Sequence, residues 1–165
     1  MATAPELFNA AAETMRAMRE SDVPAVVAIE RAAYQFPWSE GIFRDCLRVG
    51  YTCRVAASGK DIAGYGVMSL GAGEAHILNL CVGEAFRCRG LGKRLLTLLI
   101  ERAAAAGMKE AFLEVRPSNT AAIRLYLAHG FEQVGVRRGY YQAVGGREDA
   151  AVLRLGLRAA RSRPG

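Results

Sequence analysis

A chain of 165 residues, 52% of them hydrophobic, buries one core of ordinary size without a disulfide framework or a structural metal. Its four cysteines make no CxxC pair and its two histidines stand at no ligand spacing, so reduced thiols and no metal site are expected. The net charge of +6 includes Arg158, Arg161 and Arg163 near the end of the chain, and no helix-turn-helix or finger pattern accompanies it, so direct nucleic-acid binding is not expected.

Residues 1–14 carry Glu6 and Glu13 and no basic segment, and no apolar run approaches the roughly 18 residues of a membrane span. The expectation is a flexible extension over 1–14, one folded domain over 15–157 and a basic tail over 158–165, in a soluble, cytoplasmic, monomeric protein. A short strand around Met15–Met18 precedes Asp22, a side-chain cap for a helix that has Pro24 in its first turn and runs to about Ala33. Ser39 opens a second helix, with Ile42, Phe43, Cys46 and Leu47 on one apolar stripe.

Residues 51–57 and 62–70, joined by Ser58-Gly59-Lys60-Asp61, predict a hairpin, and Ala75–Val82 a third antiparallel strand. A long helix follows from about Leu91 to Ala106, with Leu95, Leu98, Leu99 and Arg102 at helical spacing and Gly107 at its end. Lys109–Val115 is an apolar strand; strand, helix, strand implies a parallel pair and a right-handed crossover. A helix over about 118–128, with Ala122, Ile123, Tyr126 and Leu127 on one stripe, and strands over 131–141 and 149–157 complete a mixed, mostly antiparallel α/β sheet flanked by helices.

The turn Arg87-Cys88-Arg89-Gly90-Leu91-Gly92-Lys93 runs directly into the long helix. Its glycines permit positive φ and close approach of a bulky anion, and the first N–H groups of the helix have no partner within it. Arg87, Arg89 and Lys93 add positive charge, which suits a diphosphate. Lys93 is followed by Arg94 where a P-loop needs Ser or Thr, and only two glycines of a dinucleotide fingerprint are present, so neither pattern fits.

Glu114 lies in Ala111-Phe112-Leu113-Glu114-Val115, a strand apolar enough to be buried on both faces. Desolvation there raises a carboxyl toward the range of a general base, unless the side chain pairs with Arg116 or another arginine. Tyr126 on its apolar stripe is either a core tyrosine or a general acid for a leaving thiolate. Asn119 is placed as a helix cap, and Cys81, in ILNLCV with no basic neighbour, as a buried structural thiol.

The turn resembles the acyl-CoA turn of the GNAT family of N-acetyltransferases, Gln/Arg-x-x-Gly-x-Gly/Ala. FPWSE at 36–40, LEVRPSN at 113–119, AAIRLYLAHGF at 121–131, RRGYY at 137–141 and GREDA at 146–150 are similar to its RimI branch, the ribosomal-protein-alanine N-acetyltransferases, over nearly all of 15–157. The resemblance implies the single-domain acyl-CoA N-acyltransferase fold and acetyl-CoA as co-substrate, without a metal. It places the proton acceptor at Glu114 and the proton donor at Tyr126. It places the pantetheine and acetyl contacts on Leu80, Cys81 and Val82, the pyrophosphate loop on Cys88, Arg89, Gly90, Leu91, Gly92 and Lys93, and a further acetyl-CoA contact on Asn119.

Two positions depart from the pattern: Cys88 stands where an arginine is frequent, and Gly139 where an asparagine often precedes the paired tyrosines. The acceptor implied is the N-terminal alanine of a small-subunit ribosomal protein, met by direct attack in a ternary complex, with Trp38, Tyr140 and Tyr141 lining its groove. The alternatives are a lysine side chain or small amine as acceptor, or a non-catalytic acyl-CoA-binding module.

Overall fold

The computed structural model of the protein describes residues 13–158. Most of the expected N-terminal extension and basic tail lies outside the described residues. The elements run β1 (Glu13–Ala17), α1 (Val23–Ala33), α2 (Glu40–Arg48), β2 (Thr52–Ser58), β3 (Asp61–Gly71), β4 (Glu74–Val82), α3 (Leu91–Ala105), β5 (Glu110–Val115), α4 (Thr120–Ala128), β6 (Glu132–Ala143) and β7 (Gly146–Gly156). The strands form one seven-stranded sheet in the order β1-β2-β3-β4-β5-β7-β6. This is the expected mixed sheet: β4 and β5 pair in parallel across α3, while β1–β2, β5–β7 and β6–β7 are antiparallel.

The local chemistry explains most of the boundaries. Pro24 sits in the first turn of α1, where its missing N–H has no helical acceptor to lose. Ser39 caps α2, its hydroxyl accepting from the Ile42 N–H at 3.3 Å. Asp22 was expected to do the same for α1 and does not. Its two carboxylate oxygens instead accept from Arg16 Nη1 and Nη2 at 2.7 and 2.8 Å, and one accepts from the Arg19 N–H at 2.8 Å. A bidentate arginine on a nearby strand outcompetes a single backbone donor.

The Arg16 guanidinium beside Asp22 holds its carboxyl below the usual range. In the folded chain the group stays ionised at pH values where an unfolded chain protonates it. Its contribution to stability is therefore complete above the ordinary aspartate range, about pH 4, and is lost as pH falls toward the lower folded value. Thermal unfolding of wild type and Asp22→Asn should converge below that range and separate above it; equal separation at all pH values would show the pair contributes no linkage.

Three amphipathic readings change. On α3 the buried positions are Leu91, Leu95, Leu96, Leu99 and Ala103, while Arg102 is exposed and Leu98 half-buried. On α4 only Tyr126 is buried, and Leu127 is 51% exposed. Strand β5 is not buried on both faces: Ala111, Leu113 and Val115 are buried and alternate with half-buried Phe112 and Glu114. A period of two brings Phe112 and Glu114 to one face.

The fold comprises two compact units. The first contains residues up to Val67 together with Asn79–Leu96, and its core includes Ala56, Ala63, Leu91 and Leu95, packed by Met15, Leu80, Val82 and Phe86. Gly64 lies in its tightest contact: a Cβ there would stand 2.8 Å from the Cys81 carbonyl oxygen and 3.2 Å from a Leu95 methyl. Gly64→Ala should therefore destabilise the chain by about 1–3 kcal/mol, the usual cost of overpacking a filled core, and a urea midpoint equal to wild type would refute that. The second unit contains Met68–Leu78 and the chain from Thr97 onward, with Ala75, Ile77, Leu99, Ala111, Leu113, Phe131, Ala150 and Leu153 buried. Strands β3 and β4 each contribute to both units.

Candidate active site

In the first unit the glycine turn has the anticipated form with a different division of labour. The residues with positive φ are Cys88 at 64° and Gly90 at 76°, whereas Gly92 already belongs to α3. Cys88 thus occupies a left-handed conformation that costs a non-glycine residue about 1–2 kcal/mol. The first helical hydrogen bond of α3 is Arg94 N–H to the Gly90 carbonyl at 3.1 Å. The N–H groups of Leu91, Gly92 and Lys93 consequently begin the helix without helical acceptors, beside a Gly90 whose missing Cβ leaves nothing within 4 Å.

The charges around the turn are organised. Arg87 does not stand free: its Nε donates to the Val82 carbonyl at 3.3 Å. Arg89 Nη1 lies 3.7 Å from Oε1 of buried Glu13, and Arg94 Nη2 donates to the Glu13 carbonyl at 3.0 Å. Lys93 is exposed.

The β4–β5 ladder runs from Glu74 opposite Glu110 to Ile77 opposite Leu113, and residues 78–82 of β4 continue past it. That continuation carries Leu80, Cys81 and Val82. The Leu80 carbonyl accepts from the Tyr34 hydroxyl at 3.3 Å. Cys81 is buried, and burial pushes its thiol up, away from the thiolate a nucleophile needs; the structural reading of this cysteine stands. All four cysteines are free, and among the described residues no group of acidic, histidine or cysteine side chains could hold a metal ion.

Sequence reasoning missed Glu30. Its side chain is almost completely buried and is the hub of the first unit: the Tyr65 hydroxyl donates to Oε2, the Asn79 amide donates to Oε2 at 3.0 Å, and the Trp38 N–H donates to Oε1 at 3.2 Å. Trp38 also packs on Phe43, with ring centroids 5.3 Å apart. The segment FPWSE is therefore tied through one carboxylate to β3 and β4. An acid at the end of an amphipathic stretch reads as a solvated charge, and the signal was lost in that average.

In the second unit Glu114 is the centre of a charged cluster. Its Oε2 is 2.5 Å from His76 Nε2 and its Oε1 3.2 Å from Arg137 Nε, with the Glu114 side chain only 6% exposed. Burial was expected to raise this carboxyl. Burial does act in that direction and is the largest single influence, but the hydrogen bond and charge of His76, with Arg137 behind them, reverse the sign and hold the carboxyl below its ordinary value. The arginine is Arg137, not the Arg116 considered from the sequence.

Arg116 has other work. It donates to the Gln142 carbonyl at 2.8 Å and to Glu148 Oε1 at 3.1 Å, and its guanidinium lies 4.3 Å from the centre of the Tyr141 ring. Glu148 also accepts from the Ser118 hydroxyl and N–H. GREDA and LEVRPSN, far apart in sequence, thus meet as one ion-pair network.

Tyr126 is buried, its ring edge-on to Phe131 at 5.8 Å between centroids. Asn119 Oδ1 accepts from the Ala122 N–H at 3.2 Å, the cap anticipated for α4. Gly139 has φ 58°, its N–H donates to Asp149 Oδ1 at 2.8 Å, and β6 bulges between Arg137 and Tyr141. Asparagine and glycine both tolerate that backbone, which gives the departure at this position a steric reason. Tyr140 is 43% exposed, and Tyr141 is half-buried with its hydroxyl pushed up by burial.

Residues 12–131 match the model of the acetyltransferase (GNAT) family. The chain belongs to the GNAT family. It is an acetyltransferase by that membership, and relatives extend the likeness past the matched segment. The bS18-alanine N-acetyltransferase of Escherichia coli K12 is 36% identical over 142 residues, covering 86% of this chain and 96% of the relative. The crystal structure of the ribosomal-protein-S18-alanine N-acetyltransferase from Escherichia coli superposes with a TM-score of 0.83 at 33% identity, covering 93% of this chain and 99% of that one. Ard1 from Thermoplasma volcanium gives a TM-score of 0.82 at 25% identity, covering 89% and 99%. The GNAT fold expected from the motifs is the fold found.

Proposed function

We propose that this protein is an acetyl-CoA-dependent N-terminal acetyltransferase whose acceptor is the alanine terminus of a small-subunit ribosomal protein. The observation that carries the reading is a likeness spanning 86% of the chain, acceptor-side segments included, to a relative named for that acceptor. The residues present fit the co-substrate. A helix N-terminus opens behind Gly90 with space where a side chain would stand, and β4 runs past its ladder at Leu80–Val82. Acetyl-CoA, when bound, supplies the activated acyl group.

The N–H groups of Leu91, Gly92 and Lys93 take the pyrophosphate, and backbone groups of Leu80–Val82 orient the thioester arm. An α-amine, with a pKa of about 8 against about 10.4 for lysine, needs less help to deprotonate. The cluster centred on Glu114 removes that proton, and the Tyr126 hydroxyl delivers one to the departing sulfur. Tyr140 and Tyr141 supply aromatic surface for the acceptor, and no covalent enzyme intermediate is required.

The test is acetyl transfer to a peptide beginning with alanine against the same peptide with a blocked N-terminus and an internal lysine. Transfer to the open terminus, located by mass, is expected. Preference for the blocked peptide would reject the terminal-amine reading.

A further inference from the structure

Strand β1 sends alternate residues to one face, so Glu13 and Met15 point the same way. Met15 packs on the cluster that includes Leu91 and Leu95 of α3, and Glu13, two residues earlier, meets the start of that helix. The Glu13 side chain is 2% exposed, and its Oε1 accepts no hydrogen bond among the described residues. Oε1 stands 3.7 Å from Arg89 Nη1, and Oε2 stands 3.8 Å from Arg94 Nη1. Both contacts are longer than a hydrogen bond, so the carboxylate offsets two positive charges without bonding to either. Other groups hold the arginines in place: the Glu13 carbonyl accepts from Arg94 Nη2 at 3.0 Å, and the Arg89 guanidinium lies 5.6 Å from the centre of the Phe86 ring.

The cations of the glycine turn are thereby divided. Arg87 is engaged by the Val82 carbonyl, Lys93 is exposed, and Arg89 and Arg94, each about half open to solvent, face Glu13 from the other side. We propose that Glu13 is a positioning residue of this turn: it gathers Arg89 and Arg94 at the start of α3 and, by offsetting their charge, holds the affinity for acyl-CoA below what the turn alone would give. This rests on the reading that the turn takes the pyrophosphate of an acyl-CoA. A diphosphate reaching the N–H groups of Leu91, Gly92 and Lys93 meets two guanidiniums that already have an anion beside them, and repulsion from Glu13 cancels part of each attraction. The diphosphate is common to acetyl-CoA and to free CoA. Both are weakened alike, which leaves the chemical step unchanged and hastens departure of the product.

The test is titration of free CoA, which needs no acceptor, into the full chain as wild type, Glu13→Gln and Glu13→Asp. Glu13→Gln keeps the size of the side chain and removes its charge, and a neutral amide is easier to bury than a carboxylate, so the variant should fold. It is expected to bind CoA about 5-fold more tightly at low salt and to release it correspondingly more slowly in a stopped-flow displacement. The gain should shrink between about 0.01 M and about 1 M salt, as the screening length falls from about 30 Å to about 3 Å. Glu13→Asp keeps the charge and should stay close to wild type. In an Arg89→Gln background most of the Glu13→Gln gain should vanish, because the two residues act through one contact.

Weaker CoA binding in Glu13→Gln would make Glu13 a structural support of the turn and overturn the proposal. A gain of equal size at every salt concentration, or one undiminished by Arg89→Gln, overturns it as well. A wild type that binds no CoA rejects the reading of the turn itself. A wild type that binds CoA, with Glu13→Gln unchanged from it, rejects the role of Glu13 alone.

Discussion

Glu114→Gln is expected to lower kcat/KM by about 10²- to 10⁴-fold, the range for losing a positioned acid–base group, while acetyl-CoA still binds. The substitution keeps the shape of the side chain and removes its charge. With the charge go the charged acceptor of the His76 contact and the ion pair to Arg137, which is left facing a neutral amide at the position now 3.2 Å away. Because the wild-type carboxyl is held below its ordinary value, it remains ionised through the whole neutral range. An acid limb of activity set by this carboxyl should therefore lie below the ordinary glutamate range. Full activity in Glu114→Gln would remove the residue from the reaction; a loss matched by equal loss of acetyl-CoA binding would make it a structural residue.

Glu30→Ala is expected to be the most destabilising single change in the first unit. It strands the Tyr65 hydroxyl, the Asn79 amide and the Trp38 N–H, all donors to one buried carboxylate. Stranding the buried Tyr65 hydroxyl costs about 1–3 kcal/mol, and the half-buried Asn79 and Trp38 donors, which water can reach, add less. A net loss of about 3 kcal/mol, or roughly 6–12 °C in melting temperature for a chain of this size, should be seen by calorimetry. Glu30→Gln retains one acceptor oxygen and should lose much less. Equal losses in the two variants would mean that volume, and not hydrogen bonding, explains the effect.

The sequence made the fold legible because its signals are local. Proline in a first turn, serine before an apolar stripe and glycines between alternating runs each act within a few residues, and the parallel β4–β5 pair followed from helix placement. Motif resemblance singled out Glu114 and Tyr126. What surrounds Glu114 was not legible: His76 reaches it across a parallel register in which His76 stands opposite Phe112, and Arg137 comes from a bulged strand. Register and bulge are tertiary facts that no spacing along the chain encodes. The error in the direction of the Glu114 shift has the same origin, since desolvation can be guessed from apolar neighbours and counter-charges cannot. Asp22 misled in the opposite way: its local cap pattern was correct, and a partner six residues upstream took the side chain.

The Arg116–Glu148–Ser118 network ties the loop after Glu114 to the start of β7, 30 positions downstream of Ser118. Between those anchors the β6–β7 hairpin ends in a tip where Val144 is 78% exposed. Loss of any one of the three anchoring residues leaves a partner charge or hydroxyl unmatched, so a change at one should be tolerated best when the others change with it. Val144 at the tip takes no part in that network, so a lengthened or recomposed tip should leave the loop after Glu114 where it is.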